Sequence, residues 1–93
     1  MSARFAPGRV VATPGALDLI GHAGACALLR RHAAGDWGDL DAHDRRENER
    51  ALETGARIFS AYETPGKGLR PGRVWVITEA DRSSTCVLLP SEY

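Results

Sequence analysis

His22 and Cys26 stand four residues apart, a spacing that puts an imidazole and a thiol on one face of any unbroken helix. With His32 and His43 they are the side chains best suited to hold zinc. The wider pattern argues against it. Zinc sites are announced by close pairs such as Cys-x-x-Cys, whereas Cys26 and Cys86 lie sixty residues apart and Gly24 interrupts the helical pair. Packed thiols and surface histidines are the better reading, with no metal and no other cofactor expected.

Nucleophilic attack would draw on Ser83, Ser84, Thr85 or Cys86, which follow Asp81 and Arg82, with a histidine as base. No Gly-x-Ser-x-Gly elbow is present, and Cys86 falls in a strand pattern, where a thiol packs as a small hydrophobe. Asp81-Arg82-Ser83 reads more economically as a turn in which Asp81 and Ser83 bond local backbone. Asp36, Asp39, Asp41 and Asp44 match a calcium loop in charge but lack its ligand order and central glycine. The stretch from Thr64 to Gly72 has no phosphate-cradle pattern, so its Lys67 and Arg70 face either an acidic partner or water. No catalytic residue is assigned.

Nucleic-acid binding would need Arg4, Arg9, Arg30, Arg31, Lys67, Arg70 and Arg73 gathered on one face. Twelve basic and twelve acidic residues cancel, so nucleic acid is a partner left open but not favoured. Charge is segregated locally. Residues 36–53 hold seven acids (Asp36, Asp39, Asp41, Asp44, Glu47, Glu49, Glu53) against three bases (Arg45, Arg46, Arg50), whereas 65–73 hold only bases.

These groups must be positioned by a chain of 93 residues, 43% apolar and 26% charged, which is the size and composition of one globular domain. Two cysteines make no disulfide framework, and neither a signal-peptide core nor an apolar run of about 18–20 residues occurs. A cytoplasmic protein with reduced thiols and no membrane partner is the expectation.

Arg9 to Ala12 reads as a short strand or an extended lead-in. Thr13-Pro14 is a helix cap followed by proline at the first helical position. Gly21 and Gly24 predict a short first helix and a second at about 25–34, closed by Gly35 as a left-handed cap. Trp37, beside Gly35 and Gly38, is expected to plug into the core from a loop. A third helix starts at Asp41, with Asp44 in its capping turn, and ends at Gly55. Its thin stripe of Leu40, Ala51 and Leu52 predicts a surface helix laced by Glu47/Arg50 and Glu49/Arg46 pairs. From residue 57 the period becomes two, giving strands near 57–62, 73–79 and 84–89, the last ended by Pro90.

The fold class predicted is α+β in a single domain over 1–93: short helices in about 13–55, packed on a three-stranded antiparallel meander in about 57–90. A fourth, N-terminal strand is the open alternative. Alternation puts Val74, Val76 and Val87 on one face and Trp75, Ile77 and Leu88 on the other, with Ile58 and Phe59 split likewise. Helices cover one apolar face. The other calls for the N-terminal segment or a second subunit, so a homodimer is expected.

Gly35-Asp-Trp-Gly-Asp-Leu40, Asn48, Ala51-Leu52, Arg57 through Tyr62, Val74 through Ser83 and Leu88-Leu-Pro90 together resemble a group of small bacterial proteins of plasmids and integrative elements. Its members are often called plasmid-related proteins, or a subunit of a type I restriction enzyme. The resemblance spans most of residues 12–93, and Gly24-Ala25-Cys26 departs from the Ser/Thr-Pro junction of relatives. It implies a mobile-element origin and no catalytic residue. A chain of 93 residues has no room for a methyltransferase cofactor fold.

The expected function is a non-enzymatic accessory or regulatory factor of a mobile element that binds another protein, inhibition of a host defence system being one form of it. Contacts are assigned to the acidic helix (Asp44, Glu47, Arg50), the basic loop (Lys67, Arg70, Arg73) and the polar segment Glu79, Asp81 and Arg82. Two alternatives stand beside it. One is a small hydrolase or nuclease-like enzyme using Glu79, Asp81, Arg82 and a histidine. The other is a weak nucleic-acid binder.

Overall fold

Thr13 caps the first helix as its sequence requires: its hydroxyl accepts from Ala16 N–H (3.2 Å), and Pro14 fills the first helical position. In a computed structural model describing residues 3–64 and 72–93, the elements run β1 (Arg9–Ala12), α1 (Pro14–Ala33), α2 (Ala42–Thr54), β2 (Ile58–Thr64), β3 (Gly72–Thr78) and β4 (Ser84–Leu88). A 3-10 turn, Pro90–Glu92, follows Leu89.

The two short helices expected before Gly35 form one run, α1, with a single break. Gly21 takes φ 71° and ψ 174°, a conformation that costs a residue with a Cβ but not glycine. The helix resumes at once and continues through Gly24. Tertiary packing on the sheet overrides the helix cost of a second glycine, which is only about 1 kcal/mol. At the far end Gly35 is the left-handed residue expected (φ 88°). Its N–H donates to His32 O and that of Asp36 to Arg31 O, the paired bonds of a Schellman cap.

α2 follows the sequence closely. Asp41 Oδ1 accepts from Asp44 N–H (2.8 Å), and Gly55 (φ 80°) closes the helix by donating to Ala51 O. The Glu47–Arg50 pair forms at 3.5 Å. Glu49 turns away from Arg46 and takes both terminal nitrogens of Arg4 instead (2.8 and 2.9 Å).

The sheet corrects the predicted layout. β2, β3 and β4 make the expected antiparallel meander, but β1 joins β4 in parallel, giving a four-stranded mixed sheet ordered β1-β4-β3-β2. Two helices, not three, lie against it among the described residues. Register opposes Val76 to Val87, Thr78 to Thr85 and Tyr62 to Val74, so these share one face with Ile58 and Ser60. α1 packs on this face through Ala16, Ala25 and Leu28. Beside it Trp37, Ala51 and Ile58 form a second apolar cluster that receives Phe5, so the N-terminal segment runs on the helix side. Trp37 is the loop plug the sequence announced.

The opposite face carries Phe59, Trp75, Ile77, Cys86 and Leu88. Phe59 and Tyr93 each meet the Trp75 ring edge-on (5.0 and 5.7 Å). Among the described residues the N-terminal segment packs on the helix side, and the aromatic cluster of this face draws on Tyr93 instead.

Candidate functional site

Glu79, Asp81 and Arg82 form the β3–β4 turn. Glu79 N–H donates to Ser84 O, Arg82 N–H to Glu79 O, and Ser83 N–H to Asp81 Oδ1. The Ser83 hydroxyl first, and then that N–H, holds the Asp81 carboxyl below its usual range. Arg82 adopts φ 62°, and its guanidinium donates to the carbonyls of Ala51, Ala56, Glu79 and Ala80 (2.7–3.1 Å). The segment therefore ties the end of α2 to the hairpin.

The histidine and hydroxyls that do converge lie elsewhere. His32 Nδ1 is 2.6 Å from Ser60 Oγ and Nε2 is 2.9 Å from Thr78 Oγ1, which is 2.6 Å from Thr85 Oγ1. Thr85 donates to Pro7 O (2.7 Å). With that proton committed, Thr78 must donate to Thr85 and so accept from His32 Nε2–H; Ser60 then donates to Nδ1. All four side chains are wholly buried. Burial pushes the imidazole down to about 4, so it is neutral in the core. The relay satisfies polar groups along the sheet and contains no carboxylate.

Two concavities stand out among the described residues. One, about 440 Å³, is lined by Ala3, Arg30, Ala33, Ala34, Gly35 and the Arg31–Asp36 pair (2.6 Å) at the end of α1. The other, about 270 Å³, lies between β1 and α1 and is lined chiefly by Val10, Ala12, Leu17, Ala25 and Leu29, together with His22 and Cys26. The two predicted zinc-type ligands do share a face. Among the described residues, no group of three His, Cys, Asp or Glu side chains is placed to hold a metal. Cys86 is a half-buried strand residue whose thiol is pushed up by burial.

The contacts predicted from charge are dispersed. Asp44, Glu47 and Arg50 lie exposed along α2. Arg73 pairs with Glu63 across β2–β3 (3.1 Å). Lys67 and Arg70 lie outside the described residues.

The sheet's two edges differ sharply. Along the outer edge of β2, Phe59 N–H donates to Asn48 Oδ1 (3.1 Å) and Phe59 O accepts from Asn48 Nδ2 (2.6 Å). Ala61 N–H donates to Trp37 O and Ala61 O accepts from Asp39 N–H, while Glu63 N–H donates to Asp39 Oδ2. This approach needs Gly38 (φ 75°), where a Cβ would lie 2.1 Å from Ala61 O. The edge is sealed. At β1, Arg9 and Thr13 donate inward to Ser83 O and Val87 O, so strand alternation turns the N–H and C=O of Val10 and Ala12 outward. Neither finds a partner among the described residues, and Val10 and Val11 remain 45% and 44% exposed. Sequence reasoning read Arg9–Ala12 as an optional strand and so passed over this edge; the unbroken pair Val10-Val11 was its only signal.

No family model, curated protein or solved structure matches the chain. Among the described residues, no helix is long and apolar enough to cross a membrane.

Proposed function

We propose that the chain is a non-enzymatic interaction factor, an accessory of a mobile genetic element, that binds protein by strand pairing at β1. The observation that carries this reading is the contrast between the edges: β2 is closed at Phe59, Ala61 and Glu63, whereas β1 presents backbone groups with no partner among the described residues, flanked by two exposed valines and an apolar groove. Open edges accept another strand, main-chain bonds giving affinity and the flanking side chains selectivity. The resemblance to plasmid and integrative-element proteins supports the biological setting. The outer face of α2, where Asp44, Glu47 and Arg50 lie exposed, supplies a further charged surface for contacts.

A photo-cross-linking residue at Val11, compared with one at Arg46 on α2, tests the reading in the native host. Capture specific to position 11 and abolished by Val10→Pro is expected, since proline removes only an outward N–H. Capture that is absent, or equal at both positions, overturns it.

A further inference from the structure

We propose that the strand received by β1 is β1 of a second copy, placed antiparallel about a two-fold axis at Val11, so that two sheets join into one. The inference rests on the reading of β1 as the binding edge and names its partner. Three features fit this occupant. First, the outward groups are those of Val10 and Ala12, two residues apart. Centring the axis on Val11 sets Val10 opposite Ala12 of the second copy and Ala12 opposite its Val10, each pair exchanging two hydrogen bonds. The arrangement is isologous and closes on itself.

Second, charge is complementary in this register. Arg9 is exposed and takes part in no ion pair among the described residues. It falls opposite Thr13 of the second copy. In each copy Thr13 donates its hydroxyl to Glu92, an exposed carboxylate that also accepts from the N–H of Leu89 and Gly15. Each Arg9 thus gains an acidic neighbour, twice per dimer.

Third, the helices leave room. α1 packs chiefly over β3 and β4, with lesser contact to β1 and β2. One strand spacing from β4 to β1 and half a spacing to the axis keep the two α1 helices at least about 14 Å apart, beyond the 8–10 Å of helix contact. The space between them is where the groove lies, open to Val10 of the second copy. Val11 meets its own equivalent on the other face, burying both.

Light scattering from micromolar to millimolar concentration should show the mass rising to two chains. Val10→Pro should hold it at one chain, with an unchanged circular dichroism spectrum. Arg9→Glu should weaken association about tenfold by facing Glu92 with a like charge. In a Cys26→Ser, Cys86→Ala background, which also removes the thiol beside Val11 on β4 of the same chain, Val11→Cys should yield a single disulfide-linked dimer on mild oxidation, because non-hydrogen-bonded cross-strand pairs have Cα atoms about 4.5 Å apart. This last test stands even if Val10→Pro disturbs folding. A one-chain mass throughout the range, or a dimer that Val11→Cys fails to trap, overturns the proposal. A chain that stays single yet cross-links a different protein from Val11 sinks this inference and leaves the broader reading intact; no capture at all sinks both.

Discussion

Asn48 binds the backbone of Phe59 as a neighbouring strand would, its Oδ1 accepting the N–H and its Nδ2 donating to the C=O. The geometry fixes the amide orientation and places a buried polar side chain in a helix where Ala51 is the one other buried residue. It also explains why α2 needs so little apolar surface. The helix is held to β2 by hydrogen bonds as well as by Ala51.

Asn48→Ala should therefore destabilise the fold by roughly 1–3 kcal/mol, since two backbone groups lose their partners. Asn48→Asp should cost at least as much at neutral pH, because a carboxylate oxygen would then face the Phe59 carbonyl. Urea denaturation monitored by tryptophan fluorescence measures both. A loss under about 0.5 kcal/mol for the alanine variant would show that water replaces the amide at no cost.

The exposed ion pair is a useful contrast. Arg4 grips Glu49 with two nitrogens, and that bond first, then the one from Trp37 Nε1, holds the carboxyl below its usual range. Both side chains are more than two-fifths exposed, so Arg4→Ala should cost less than about 1 kcal/mol, shrinking with added salt. A larger, salt-independent loss would assign Arg4 a packing role.

Local signals were the legible part of this chain. Thr13-Pro14, Asp41 with Asp44, Gly35 and Gly55 mark helix ends through bonds made within a few residues, and the meander follows from strict alternation after residue 57. What sequence reading missed depends on partners distant along the chain. β1 exists as a strand because β4, more than seventy residues later, accepts it. His32 looks like a charge suited to the end of α1, yet it is buried because Ser60, Thr78 and Thr85 arrive from three strands. Two of the proposed contacts, Asp81 and Arg82, are polar for the sake of the turn.

His32 sets a pH dependence of its own. Burial lowers its folded pKa from 6.5 to about 4, so between those values the unfolded chain takes up a proton that the folded chain refuses. Stability is thus full above pH 6.5 and falls toward pH 4 by about 3 kcal/mol. Asp36 and Glu49 have lowered folded pKa values; their contribution is present above the ordinary carboxylate range and is lost only below it. The two windows are separable. Denaturation midpoints for His32→Gln should be lower at neutral pH but flat between pH 6.5 and 5, where the native chain already slopes. A slope unchanged by the substitution would assign it to another group.

Arg82 combines a conformational cost with several bonds, and two substitutions separate them. Its φ of 62° is strained for a residue with a Cβ, by about 1–2 kcal/mol, while its guanidinium binds carbonyls of α2, of the segment before β2 and of its own turn. Arg82→Ala keeps the strain and loses the bonds, for an expected loss of roughly 2–4 kcal/mol. Arg82→Gly loses the same bonds but relieves the strain, so it should be the more stable of the two by about 1 kcal/mol. Lysine keeps the charge without the planar fork and cannot reach all four carbonyls, so it should fall below the native chain as well. Thermal melts of the set would rank native above glycine above alanine. Alanine level with the native protein would mean the guanidinium tethers nothing, and alanine above glycine would mean the backbone at residue 82 carries no strain.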